Sequence, residues 1–136
     1  MKQNCQTVLV VDDDPLVRDV AKSILEAGGY TVQLACEGEA ALRSLAAERA
    51  DVVLLDILMP NKEGLETLLE LKKKWPDIAV VAMSASALRQ RNDFLVIAER
   101  FGADFVLRKP FTPEALIAAI RFCDRSAHGA SDVRHG

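Results

Sequence analysis

Aromatic residues are scarce in this chain. Of 136 residues one is Trp, one is Tyr and five are Phe, 5% in all. Any core must therefore be aliphatic, and a hydrophobic share of 50%, rich in Ala, Val and Leu, can supply one. Positive charge is not in excess either: 17 Lys and Arg stand against 20 Asp and Glu, a formal net charge of −3. That excludes direct nucleic-acid binding through bulk basic charge, and the hydrophobic share excludes a disordered acidic chain. Cysteine is limited to Cys5, Cys36 and Cys123, an odd number with no close pair. This is neither a disulfide framework nor a zinc-ligand spacing, and it reads as free thiols of a cytoplasmic protein. Long apolar runs are missing too. Ile78–Met83, among the longest, falls far short of the about 18–20 residues of a membrane span. Residues 1–5 lack the apolar stretch of a secretory leader.

What is present is a regular alternation. Short runs rich in Val, Ile and Leu occur at Thr7–Val11, Thr31–Ala35, Val52–Leu55, Ile78–Met83 and Phe105–Leu107. Most do not alternate with polar residues, the pattern of strands buried on both faces of a parallel sheet. Thr31–Ala35 alternates better, as an edge strand would. Helical patterns lie between the runs. Asp14 is placed to cap the first, with Pro15 at the first helical position, where its missing N–H is harmless. Leu16, Val17, Val20, Ala21, Ile24 and Leu25 then share one face, and Gly28-Gly29 ends it. Ala40, Ala41, Leu42, Leu45 and Ala46 mark a second helix, and Leu65, Leu68, Leu69 and Leu71 a third. Phe94, Ile97, Ala98 and Phe101 mark a fourth, and Thr112-Pro113-Glu114 opens a fifth with Leu116, Ile117 and Ile120 inward. Five strand–helix units predict one α/β domain over residues 7–124, with helices on both sides of the sheet. Residues 1–6 are expected to be an arm and 125–136 a flexible tail, with no room for a second, output-type domain.

In a doubly wound sheet, ligands bind beyond the carboxyl ends of the strands. The residues delivered there are Asp12, Asp13 and Asp14 after the first run and Asp56 after the third. Ser84 follows the fourth, and Arg108, Lys109 and Pro110 follow the fifth. Asp14 is assigned to the helix cap. Asp12, Asp13 and Asp56 would crowd three negative charges into one crevice, with Lys109 offsetting one. Such a cluster repels itself unless a cation joins it. Mg²⁺ suits it, because it takes oxygen ligands, usually one or two carboxylates with waters and a phosphate. The metal would then admit a phosphate to an otherwise anionic pocket. Asp56 becomes a candidate nucleophile, since a carboxylate attacking phosphorus forms an acyl phosphate. Lys109 could pair with the new charge and the Ser84 hydroxyl could donate to it.

Each signal alone is weak, and their joint placement carries the weight. The stretches Val8-Leu9-Val10-Val11-Asp12-Asp13-Asp14-Pro15, Asp56-Ile57-Leu58-Met59-Pro60 with Gly64, Ser84-Ala85 and Lys109-Pro110-Phe111 resemble the receiver domain of two-component response regulators. The resemblance covers residues 7 to about 124. It implies a flavodoxin-like (βα)5 sandwich with a five-stranded parallel sheet in the order 2-1-3-4-5. It implies Asp56 as phosphoacceptor, Lys109 as the phosphate-pairing lysine, Ser84 as the switch hydroxyl and a cis Lys109–Pro110 bond. It also implies Mg²⁺ on Asp12, Asp13, Asp56 and the Leu58 backbone carbonyl. The phosphodonor would be a sensor histidine kinase or a phosphotransfer protein. The signal would leave through the surface of the fourth helix, fifth strand and fifth helix, with Ser84, Val106 and Arg108 at the switch, toward a downstream protein. Monomer and homodimer both remain open.

Two departures from the pattern stand out. Val106 occupies the place where receivers often carry an aromatic, and Phe105, one residue earlier, should point to the opposite sheet face. The stretch between Ser84 and Lys109 is a few residues longer than usual, with the extra length expected in Ala85–Asn92, which carries Arg89 and Arg91. Leu58 and Ser86 stand where the family flanks the attacking water. An apolar Leu58 cannot hydrogen-bond that water, which predicts slow self-dephosphorylation, faster in Leu58→Asn. Two alternatives compete. One is a receiver-like docking or dimerisation module that works without phosphorylation. The other is an Asp-nucleophile phosphohydrolase, which would need a proton-transferring group where Leu58 stands.

Overall fold

In a computed structural model, residues 6–57, 64–84, 96 and 98–123 are described. The strands are β1 (Thr7–Val11), β2 (Thr31–Ala35), β3 (Val52–Asp56), β4 (Ala79–Ser84) and β5 (Phe105–Arg108). The helices are α1 (Pro15–Ala27), α2 (Gly38–Ala47), α3 (Gly64–Lys74) and α5 (Pro113–Phe122). Residues 96 and 98–100 are also helical and form the described part of α4. The expected arm before residue 6 and tail from residue 125, and the long stretch Ala85–Asn92, lie outside the described residues.

All five strands pair in parallel, in the order β2-β1-β3-β4-β5. The central strands are buried on both faces: every residue of β3 and β4 is buried, and all of β1 after Thr7. This is why their runs do not alternate. The period-2 geometry of a strand divides these residues between two cores. Val8, Val10, Leu54 and Val81 pack with Ala21 and Leu25 of α1 and with Leu116 and Ile120 of α5. Leu9, Val11, Val53 and Val80 pack on the other face with Ala41 and Leu45 of α2, Leu68 and Leu71 of α3 and Ala98 of α4. Each fully buried Leu or Val stabilises by about 2 kcal/mol, so an aliphatic core of this size needs few aromatics.

The helix boundaries follow local chemistry. The Asp14 side chain accepts from the Leu16 N–H at 2.9 Å, with Pro15 opening α1. Past the end of α1, Gly29 takes φ +95°, a conformation L side chains avoid. Thr112 caps α5 through the Ala115 N–H at 3.0 Å. The expected inward face of α1 is corrected, however. Leu16 is 68% exposed and Val20 45%, while Ala21 and Leu25 are buried and Val17 and Ile24 partly so. Leu69 of α3 and Ala46 of α2 are exposed as well. A helix resting on a flat sheet buries a stripe only about 100° wide, and these residues fall outside it.

Candidate functional site

Three chain segments converge at the carboxyl edge of the sheet, each held by backbone pairing. The Asp12 N–H donates to the Ala35 carbonyl at 3.2 Å, carrying the β1–β2 ladder one residue past β1. The Ile57 N–H donates to the Met83 carbonyl at 3.0 Å just past Asp56, and the Lys109 N–H donates to the Ser84 carbonyl at 2.9 Å. The functional side chains are thus mounted on the ends of a rigid sheet. The Lys109–Pro110 bond is cis.

The acidic triplet separates into three roles. Asp12 is fully buried, Asp13 is exposed, and Asp14 caps α1. Asp12 Oδ1 accepts from the Asp14 N–H at 2.9 Å, and its Oδ2 accepts from Lys109 Nζ at 2.9 Å. Lys109 Nζ also reaches Asp56 Oδ2 at 3.3 Å, and Asp56 is 4% exposed. One oxygen from each of Asp12, Asp13 and Asp56 lies within 4.8 Å of the others. At that separation, two buried carboxylates such as Asp12 and Asp56 repel by about 3 kcal/mol at an effective dielectric of about 20. Among the described residues, Lys109 is paired with two of these three carboxylates, Asp12 and Asp56.

Burial works to lower the Lys109 pKa. The hydrogen bond to Asp12 and the charges of Asp56 and Asp12 outweigh it, and the net shift is upward. Lys109 therefore stays a cation at neutral pH. Three hard oxygen donors within 4.8 Å of one another fit a hard divalent cation such as Mg²⁺. The Leu58 carbonyl lies outside the described residues.

Two further residues shape the pocket. Arg18 of α1 donates from Nη1 to the Asp12 carbonyl oxygen at 2.7 Å, tying the helix to the strand end. Sequence reasoning passed over Arg18, although its place one turn after the cap put it back over the strand end. Gly64 starts α3 directly against the end of β3. A Cβ there would lie 2.5 Å from the Asp56 carbonyl oxygen and closer still to Ile57 Cα. Only glycine permits that approach.

Ser84, the last residue of β4, is fully buried, and its Oγ has no hydrogen-bond partner among the described residues. Its register partner on β5 is the exposed Arg108. Val106 is partly buried on the α2–α3 face, whereas Phe105 packs on the α1–α5 face, with its ring 5.1 Å from that of Phe122. The two neighbours do point to opposite sides, so Phe105 cannot stand in for an aromatic at position 106.

This is a doubly wound α/β domain that gathers carboxylates from two strand ends around a lysine from a third. The chain belongs to the response regulator receiver domain family, whose model matches residues 8–121. Over 114 residues it is 39% identical to the response regulator MprA of Mycobacterium ulcerans, covering 84% of this chain and 48% of that one. The chain thus spans about half the length of that relative. Among solved structures it is similar to a CheY-like receiver domain protein from Methanospirillum hungatei, with TM-score 0.80 and 30% identity over 93% of this chain and 100% of that one. It is likewise similar to the receiver domain of NtrX from Brucella abortus, with TM-score 0.79 and 31% identity over 85% and 96% of the two chains. The chain is thus a receiver domain of two-component signalling, a signalling module. Receiver domains in general bind Mg²⁺ at an acidic pocket, and the Asp12, Asp13 and Asp56 cluster is a pocket of that kind. No helix among the described residues is long and apolar enough to cross a membrane.

Proposed function

We propose that this chain is a phosphorylation-dependent switch in which Asp56 accepts a phosphoryl group from a histidine kinase or a phosphotransfer protein. The observation that carries this reading is Lys109 Nζ lying between Asp12 Oδ2 at 2.9 Å and Asp56 Oδ2 at 3.3 Å, inside a three-carboxylate cluster. An Asp56 oxygen attacks the phosphorus, a new P–O bond forms, and the bond to the donor's leaving group breaks. Asp12, Asp13, Asp56 and the Leu58 carbonyl would hold Mg²⁺, which when bound neutralises the pocket and the incoming phosphoryl oxygens. Lys109 pairs with the phosphoryl group, and Arg18 keeps the Asp12 backbone in place.

Ser84 supports the switch half of the reading. A buried hydroxyl without a partner is unfavourable by about 1–3 kcal/mol, and a phosphoryl oxygen on the neighbouring strand would satisfy it. Movement of the Ser84 segment would alter the α4–β5–α5 surface, where Phe101, Phe122 and Arg108 are exposed to a downstream protein. With Val106 in place of an aromatic, that change relies on the Ser84 backbone and not on a ring rotation.

Intact-protein mass after incubation with acetyl phosphate and Mg²⁺ tests the proposal. One added phosphoryl group is expected, absent in Asp56→Asn and absent without metal. An unmodified wild-type chain would leave a docking module that works without phosphorylation.

A further inference from the structure

The α1–α5 face carries an open groove of about 710 Å³ that the phosphoacceptor reading does not use. Ile24 and Ala27 line it from α1. From α5 it is lined by Glu114, Ile117, Ala118 and Arg121. These four are spaced i, i+3, i+4 and i+7, one continuous stripe of a helix. Glu114, Ala118 and Arg121 are exposed, and neither charge has an ion-pair partner among the described residues. The helix dipole accounts for an acid in the first turn and a base in the last. It does not account for the apolar groove between them.

The stripe is complementary to itself. Glu114 and Arg121 lie about 10 Å apart along the axis, and their midpoint falls between Ile117 and Ala118. A two-fold axis through that midpoint lays a second α5 antiparallel on the first. It sets Glu114 of each copy opposite the partner's Arg121 and buries Ile117 and Ala118 at the centre. An isologous contact requires this kind of order, a patch that matches its own inverse. The small Ala118 lets the backbones approach, and Ile24 and Ala27 widen the apolar floor.

We infer that two copies of this chain pair through the α1–α5 groove, with the Glu114–Arg121 pairing setting the antiparallel register. The groove shares no lining residue with the Asp12, Asp13, Asp56 and Lys109 cluster, and the inference does not depend on phosphorylation.

Charge exchange tests it. Sedimentation velocity of the full chain over a range of concentrations at low salt is expected to show a reversible monomer–dimer equilibrium. Glu114→Arg alone and Arg121→Glu alone each bring like charges together twice in the symmetric dimer, and each should weaken association about tenfold or more. The double variant Glu114→Arg/Arg121→Glu restores both opposite-charge pairs and should recover the dimer. An equimolar mixture of the two single variants should also recover it, as a heterodimer. A chain that stays monomeric throughout would overturn the inference and leave the groove to a different protein. A dimer indifferent to the single substitutions, or one that the double variant fails to recover, would assign pairing to another face. Both positions are exposed, and recovery in the double variant separates a lost contact from a lost fold.

Discussion

Two lysines bind aspartates at opposite edges of the same sheet, and they leave those edges in different states. At the amino edge, Lys72 Nζ donates to the Ile78 carbonyl at 2.9 Å and pairs with Asp104 Oδ2 at 3.2 Å. Asp104 in turn accepts from the Val80 N–H at 2.8 Å. One cation meets one anion, backbone groups take up the remaining capacity, and the cluster clips α3, β4 and the start of β5 together. At the carboxyl edge, Lys109 pairs with both Asp12 and Asp56, Asp13 lies within the same cluster, and the Ser84 hydroxyl is buried without a partner among the described residues. The same residue pair is a closed structural clasp in one place and an unbalanced pocket in the other. The difference lies in stoichiometry and burial. An excess of carboxylates favours a cation, whereas a balanced cluster does not.

Removing each lysine breaks the comparison most directly. Lys109→Met removes the ammonium that pairs with the buried Asp12 and Asp56, and should lower unfolding stability by about 3 kcal/mol without metal. Much of that loss should return on adding Mg²⁺, because ligand binding to the native state stabilises it. Lys72→Met removes a half-exposed clasp and should cost about 1 kcal/mol, unchanged by Mg²⁺. Urea unfolding of both variants, with and without metal, checks the pair. Equal losses, or equal responses to Mg²⁺, would erase the distinction between the edges.

Gly64→Ala probes how tightly α3 presses on the end of β3. A Cβ that close to the Asp56 carbonyl must push α3 or the end of β3 aside, and a loss of about 2 kcal/mol is expected. If Asp56 is the acceptor as proposed, phosphoryl uptake should fall more than the stability loss explains, since the displaced backbone group is its own. The smallest effect on the fold belongs to Asp13→Asn. Asp13 is exposed, so unfolding without metal should barely change, while Mg²⁺ affinity drops about tenfold as one anionic ligand is lost. Titration calorimetry with Mg²⁺ would show it.

The legible part of the fold was the local part. The unalternated runs at Val52–Leu55 and Ile78–Met83 announced strands buried on both faces, and Thr31–Ala35 announced the edge strand that β2 proved to be. Asp14-Pro15 and Thr112-Pro113 announced two helix starts. Apolar spacing misjudged Leu16, Val20 and Leu69, because it reports that a helix has a greasy side but not how narrow a stripe its neighbour covers. The Lys72–Asp104 clasp left no local mark, and the Arg18 contact with the Asp12 carbonyl left only its place one turn after the Asp14 cap.

The sequence by itself determined the order of elements, their caps and which polar residues stand at strand ends, since these rest on the periods of helix and strand and on the chemistry of neighbouring residues. Motif resemblance added the strand order and the assignment of roles. Only the tertiary structure decided that Lys109 reaches an aspartate 97 positions away, that Asp12 is buried while Asp13 is not, and that Gly64 leaves no room for a Cβ against Asp56. Such facts depend on register and packing between distant segments, and those are set by the whole core at once.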